Sequence, residues 1–125
     1  MVTVVTRHRG LVDWLIKHEI INPNDDINVI EHATVEDVKG CIVYGILPLS
    51  LAVHAKAVYT PDMPGLPLSR RGTELTADDM DTFGATLSHY VVMAGDDYLD
   101  MKYELDSAVK HIQFLNKEIG AAEWR

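Results

Sequence analysis

The sequence contains only one cysteine, Cys41, in 125 residues, and it lacks long apolar runs. A single cysteine cannot form an internal disulfide, which is typical of proteins from reducing compartments. We expect Cys41 to be a buried structural thiol in a strand. No apolar run approaches the roughly 20 residues that span a bilayer, and the N-terminal residues lack the pattern of a secretory signal. These absences predict a cytoplasmic protein with no membrane contact.

Positive charge is also scarce, because 11 Lys and Arg stand against 19 Asp and Glu, for a formal net charge of −8. Sequence-independent binding to long nucleic acids needs many basic side chains over an extended face, so the composition excludes it. A compact charged ligand in a local basic pocket remains possible. The basic residues are clustered: Arg7, His8 and Arg9 form one group, and Arg70 and Arg71 form another.

The length and the hydrophobic pattern predict a single α/β domain over residues 1–125, with its core at about 1–95. Short apolar runs predict strands, and periodic segments with capping residues predict helices. We expect a mostly parallel sheet flanked by helices. The predicted strands are 2–5, 27–30, 41–44, 57–59 and 90–93. The predicted helices are 11–18, a short turn after Thr34, 51–57, 77–89 and about 96–120.

Recognisable cofactor motifs are missing as well. There is no Walker motif, no G-x-G-x-x-G, no H-E-x-x-H and no cysteine pair for zinc. The six histidines are not spaced to share a helical turn, although His8 and His32, both at strand ends, leave one metal site conceivable. Ser50 lacks the G-x-S-x-G elbow of a nucleophile and suits a helix start. We therefore expect no metal and no other cofactor.

Polar and flexible residues follow the first and third predicted strands, and a third such segment lies in the loop after the fourth strand. In a parallel sheet the carboxyl ends of the strands share one edge, and helix N-termini there bind anions, so these segments should converge. Arginine donates two hydrogen bonds to a phosphate, and histidine can protonate a leaving oxygen. The predicted catalytic residues are Arg7, His8 and Arg71. The predicted ligand-binding residues are Thr6, Arg9, Gly10, Gly45, Leu47, Pro48, Ser50, Arg70 and Gly72.

The last predicted helix has an apolar seam with spacings of 4, 3, 4, 3 and 4 residues, which is a heptad pattern. Two interpretations stay open: the seam packs on the protein's own sheet, or it pairs with another chain. The seam residues are Met101, Leu105, Ala108, Ile112, Leu115 and Ile119.

Three ordered motifs resemble a small single-domain CRISPR-associated family from type III loci, named after a Vibrio reading frame and described as Rossmann-like. They are V-T-R-H-R-G with W-L at residues 5–15, G-I-L-P at 45–48, and R-G-T-E-L-T-A-D-D-M at 71–80. The family pattern has proline at position 9 and threonine at position 46, whereas this chain has Arg9 and Ile46. Ile46 removes one hydroxyl from the expected pocket.

The resemblance implies a Rossmann-like (CARF-like) fold and a ring nuclease, which binds cyclic oligoadenylate, in particular cyclic tetra-adenylate, and linearises it without metal to switch off antiviral signalling. It implies a homodimer, because a cyclic tetranucleotide has two-fold symmetry that an isologous interface can match. Two alternatives remain. The protein could sequester the ring without cleaving it, or it could dock on a CRISPR effector through its acidic heptad helix.

Overall fold

The computed structural model describes residues 2–120, with side chains described to residue 116. They fall into two compact units, residues 2–92 and residues 93–120, which we describe separately. The first unit contains one five-stranded sheet. Its strands are β1 (Val2–Val5), β2 (Ile27–Ile30), β3 (Ile42–Gly45), β4 (Ala57–Asp62) and β5 (Thr86–Tyr90).

The strand order is β2-β1-β3-β4-β5, a common order of doubly wound sheets. Strands β1 to β4 run parallel, and β5 pairs antiparallel with β4. The helices are α1 (Arg9–Lys17), α2 (Val35–Val38), α3 (Leu49–Ala52), α4 (Ala77–Thr82) and α5 (Gly95–Gly120), with a 3-10 turn at Leu68–Arg70. The predicted α/β fold with a mostly parallel sheet and a long C-terminal helix is confirmed.

Helices cover both faces of the sheet. Neighbouring residues of β1 point to opposite faces, and each packs against the helices on its own side. Val4 belongs to a buried cluster with residues of α1 and α4, including Leu15 and Met80. Val5 belongs to a second cluster, with Val38 of α2 and Val43 of β3, against which α3 packs. The apolar stripe of α1 therefore forms the core on one face, and α2 and α3 close the other.

A polar clamp fixes α4 against α1. The indole Nε1 of Trp14 donates to Asp81 Oδ1 at 2.9 Å, Lys17 Nζ donates to Asp81 Oδ2 at 2.5 Å, and His18 Nε2 lies 2.6 Å from Asp81 Oδ1. Hydrogen bonds from Lys17 and then His18 lower the pKa of Asp81 from 3.8 to about 2. The clamp holds α4 where Met80 can reach the core.

The bounds of four elements differ from those predicted. Helix α3 ends at Ala52, so the predicted helix 51–57 is wrong, and β4 extends three residues beyond the predicted 57–59. Helix α4 ends at Thr82, because Gly84 adopts a φ of 73° that stops the helix. The following residues then form β5, so the predicted strand 90–93 is wrong. Cys41 lies just before β3 and is only partly buried.

Helix α5 forms the second unit and confirms the predicted helix. The apolar seam is exposed at the positions whose side chains are described; Ile112, for example, is 56% exposed. The side chain of Ile119, the last predicted seam position, lies outside the described part. No helix of the described residues is both long and apolar enough to span a bilayer.

Candidate functional site

The carboxyl ends of β1 and β3 form a natural crevice. These strands are neighbours in the centre of the sheet, yet the helices that follow them, α1 and α3, cover opposite faces. The two connections therefore diverge, which is the position where open α/β sheets bind ligands. Gly45 allows the close approach: its φ is 133°, and a Cβ there would lie 2.2 Å from the carbonyl oxygen of Val5.

A cavity of about 420 Å³ occupies this edge of the sheet. Residues after all four parallel strands contribute to it, together with the segment before α4. Its lining combines a few polar groups with several apolar side chains, which suits a ligand that has both charged and flat apolar parts. The lining residues are Val5, Thr6, Arg7, His8, Leu11, Glu31, Ile46, Pro61, Met63, Thr73, Leu75 and Met80.

The turn after β1 brings three predicted site residues, Thr6, Arg7 and His8, into this cavity. The hydroxyl oxygen of Thr6 accepts a hydrogen bond from the backbone N–H of His8 at 3.0 Å. His8 is the N-cap of α1, and its side chain makes no capping hydrogen bond. The N-terminal amides of α1 and the helix dipole therefore add to the charge of Arg7 at this point, which favours an anion.

His8 is held by a carboxylate from a distant part of the chain. Its Nδ1 lies 2.5 Å from Glu74 Oε1, and both side chains are partly exposed. This contact engages one ring nitrogen and orients the imidazole, so that Nε2 is the nitrogen available to a ligand. Sequence reasoning missed Glu74 as a site residue, although it stands in the third motif.

The second basic segment is arranged differently. Arg70 Nη2 donates to Asp79 Oδ2 at 3.2 Å, and the guanidinium carbon lies 5.5 Å from the centre of the Phe83 ring. Asp79 also completes the capping box of α4, and hydrogen bonding from the Thr76 backbone, the largest cause, lowers the pKa of Asp79. Arg70 therefore stabilises the start of α4.

Next to it, Arg71 and Gly72 are exposed and form a turn in which Gly72 has a φ of 78°. This segment contributes Thr73 and Leu75 to the cavity lining. Arg71 and Gly72 are not among the residues that line the cavity. A contact between Arg71 and a ligand therefore stays a prediction.

Some residues of the turn after β3 line the cavity, and others pack against the core. Ile46 lines the cavity and is 71% exposed. Leu47 packs against the cluster that contains Val43. Pro48 is the N-cap of α3, and Ser50 is exposed within that helix.

The first turn of α1 contains two further predicted binding residues that have partners within the protein. Arg9 Nε donates to Asp13 Oδ1 at 3.1 Å, one helical turn away. Gly10 is buried, and a Cβ there would lie 1.8 Å from the carbonyl oxygen of Leu75. The glycine thus lets α1 pack directly on the segment that precedes α4.

Sequence reasoning also missed the apolar lining and one acidic residue, Glu31, which directly follows β2. Met63 and Met80 could not be assigned to the site because only the tertiary fold brings them there. Glu31 had a usable signal, since it stands at the end of a parallel strand. Among the side chains of residues 2–116, no group of three or more His, Cys, Asp or Glu is arranged to hold a metal ion.

A family model described as "Putative CRISPR-associated protein (Cas_VVA1548)" matches residues 3–93. The chain belongs to this family. The matched range contains every residue that lines the cavity, and it ends before α5 begins at Gly95. Comparison with curated proteins and with solved structures gives no match. This member of the CRISPR-associated family thus combines a matched α/β unit with a helix outside the matched range.

Proposed function

We propose that this CRISPR-associated protein is a ring nuclease that binds cyclic oligoadenylate, in particular cyclic tetra-adenylate, and linearises it. The observation that supports the proposal most is the convergence of Arg7, His8 and the N-terminus of α1 at one cavity, at the switch point of the sheet. A phosphodiester suits the cationic end of the cavity, and an adenine base suits the apolar side chains of Met63 and Met80.

The reaction is an in-line attack within the ring. A ribose 2′-hydroxyl releases its proton to solvent, and its oxygen forms a bond to the adjacent phosphorus. The bond from phosphorus to the 5′-oxygen breaks, and the products are a 2′,3′-cyclic phosphate and a 5′-hydroxyl. Arg7 and the predicted Arg71 hold the phosphate and stabilise its developing negative charge. His8 donates a proton to the departing 5′-oxygen. This reaction requires mainly orientation and charge stabilisation, and it needs no metal.

Glu74 gives His8 the geometry for that role. The carboxylate at 2.5 Å from Nδ1 fixes the orientation of the imidazole ring. Nε2 then presents its proton to the substrate. Glu74 acts through His8, and it is therefore a positioning residue.

The experiment that tests the proposal is incubation of cyclic tetra-adenylate with the purified protein, followed by chromatography of the nucleotide. A ring nuclease converts the ring into linear product. Recovery of intact ring that had been bound to the protein would identify a sequestering protein, and absence of both binding and cleavage would overturn the proposal.

We also propose that the protein acts as a homodimer, because a two-fold symmetric ring is matched by two copies of one pocket. Helix α5 has an exposed apolar seam, and most of the stability of a helix in a protein comes from packing of its apolar face, so the seam requires a covering surface. Ile112→Asp should therefore leave the fold intact and convert a dimer into a monomer in size-exclusion chromatography. A variant that stays dimeric and cleaves the ring would place the seam outside the interface.

A further inference from the structure

Glu31 brings a negative charge to a cavity whose other charged side chains are basic. Strand β2 lies beside β1, with Ile30 opposite Val5. The backbone N–H of Thr6 donates to the carbonyl oxygen of Ile30 at 2.9 Å, so Glu31 begins directly beside the turn that carries Arg7. Both Glu31 and Arg7 line the cavity.

The Glu31 carboxylate has no oppositely charged partner among the side chains that the structure describes. Among residues 2–116, whose side chains the structure describes, it forms no ion pair, although Arg7 and His8 line the same cavity. Glu74, by contrast, is held by His8. Glu31 is exposed at the cavity surface and is free to contact a ligand.

A carboxylate accepts hydrogen bonds and repels phosphates. A ligand that occupies the whole cavity must therefore place its phosphate at Arg7 and His8 and a hydrogen-bond donor at Glu31. In nucleotide-binding βαβ units, an acidic residue near the end of the second strand accepts a hydrogen bond from a ribose 2′-hydroxyl. Glu31 follows the second strand of the β1-α1-β2 unit.

We propose that Glu31 accepts a hydrogen bond from a ribose 2′-hydroxyl of the bound ring, and that it makes the protein selective for ribonucleotide over deoxyribonucleotide rings. This inference rests on the proposed function, since it concerns the same cavity and the same ligand. It adds a specificity-determining residue that faces the sugar, whereas Arg7 and His8 face the phosphate.

The test compares the affinities for cyclic tetra-adenylate and for its fully 2′-deoxy analogue, measured by calorimetry. The measurements are made in a His8→Ala background, in which cleavage of the ribose ring is expected to be slow enough for equilibrium binding. The variants are Glu31→Ala, which removes the acceptor, and Glu31→Gln, which keeps an acceptor but removes the charge. Glu36→Gln, an exposed glutamate on α2, is the matched control for Glu31→Gln.

With Glu31 intact, the ribose ring should bind about tenfold or more tightly than the deoxy ring, because a hydrogen bond to a charged group is lost in the analogue. Glu31→Ala should remove this preference, Glu31→Gln should reduce it, and Glu36→Gln should retain it. Equal affinities for both rings with Glu31 intact would overturn the inference alone. A Glu31→Ala variant that keeps the full preference for the ribose ring would also overturn the inference. In that case Glu31 would act only through its charge, which changes the affinities for the ribose ring and the deoxy ring by the same factor. Failure of the protein without the His8 substitution to bind either ring would overturn the proposed function itself.

Discussion

The two basic segments of this chain look equivalent in sequence but differ in the structure. In the first, Arg7 and His8 line the cavity at the end of β1, next to the N-terminus of α1. In the second, Arg70 is bound to Asp79 and lies against Phe83, at the start of α4. One segment thus presents its charge to the cavity, and the other uses at least one arginine to hold a helix in place.

The difference follows from what surrounds each segment. The residues after β1 are held by the sheet at a switch point, where few side chains of the protein can cover them. Arg70 is followed nine residues later by Asp79, whose carboxylate is already fixed in a capping box. A preformed anion within reach binds a guanidinium, so local charge does not by itself identify a ligand contact.

The largest effect is expected for His8→Ala. If His8 protonates the leaving oxygen, cleavage of cyclic tetra-adenylate should slow by about 10²- to 10⁴-fold, the usual contribution of general acid catalysis. Ring binding should change much less. The measurement is the rate of linear product formation under single-turnover conditions, with His54→Ala, an exposed histidine after α3, as the control. Wild-type cleavage by His8→Ala would eliminate this residue as the acid.

Arg7→Ala tests the first segment by affinity. Loss of a charge-assisted hydrogen bond costs about 1.5–3 kcal/mol, which corresponds to roughly 10- to 100-fold weaker binding of the ring. Arg71→Ala should have an effect of the same kind if the loop closes on the phosphate. Calorimetry at fixed ionic strength measures both. Unchanged affinity in both variants, with the fold intact by circular dichroism, would remove the pocket hypothesis.

Arg70→Ala is the matched change in the second segment and should give the opposite result. Because Arg70 links Asp79 and Phe83, its loss should lower the melting temperature while the affinity for the ring stays close to that of the wild type. Thermal unfolding and calorimetry on the same sample separate the two effects. A loss of affinity equal to that of Arg7→Ala, without a change in melting temperature, would assign Arg70 to the ligand instead.

Arg9→Ala should have the smallest effect. Its exposed pair with Asp13 spans one turn of α1, and such pairs contribute little to stability. Its guanidinium is directed along the helix towards this partner. Affinity and melting temperature should both stay near the wild-type values, and a marked loss of affinity would extend the binding site beyond the residues that line the cavity.

Most of the fold could be predicted from the sequence because local signals agree with it. The apolar runs at β1 and β2, the capping residue Thr34 before α2 and the heptad pattern of α5 all formed the expected elements. Strand β5 does not follow from the sequence, because the pattern of residues 77–89 predicts one long helix. Gly84 interrupts it, and pairing with β4, a long-range interaction, stabilises the following residues as a strand.

The site was predictable only in part, because it also depends on long-range interactions. The residues after β1 could be placed, since the carboxyl ends of parallel strands share one edge. Glu74 contacts His8 and Met80 lines the cavity only because the fold brings together residues far apart in the sequence, which a single chain does not reveal. Nor could the sequence distinguish Arg7 from Arg70, because that difference depends on the position of Asp79.

The central claim is that this cavity cleaves a cyclic nucleotide by an attack from within the ring. The most direct measurement is chromatography and mass spectrometry of cyclic tetra-adenylate after incubation with the protein in excess EDTA. We predict linear product that ends in a 2′,3′-cyclic phosphate, formed at the same rate as without the chelator. Cleavage that EDTA abolishes and Mn²⁺ or Mg²⁺ restores would contradict the mechanism, and intact ring under both conditions would contradict the enzymatic claim.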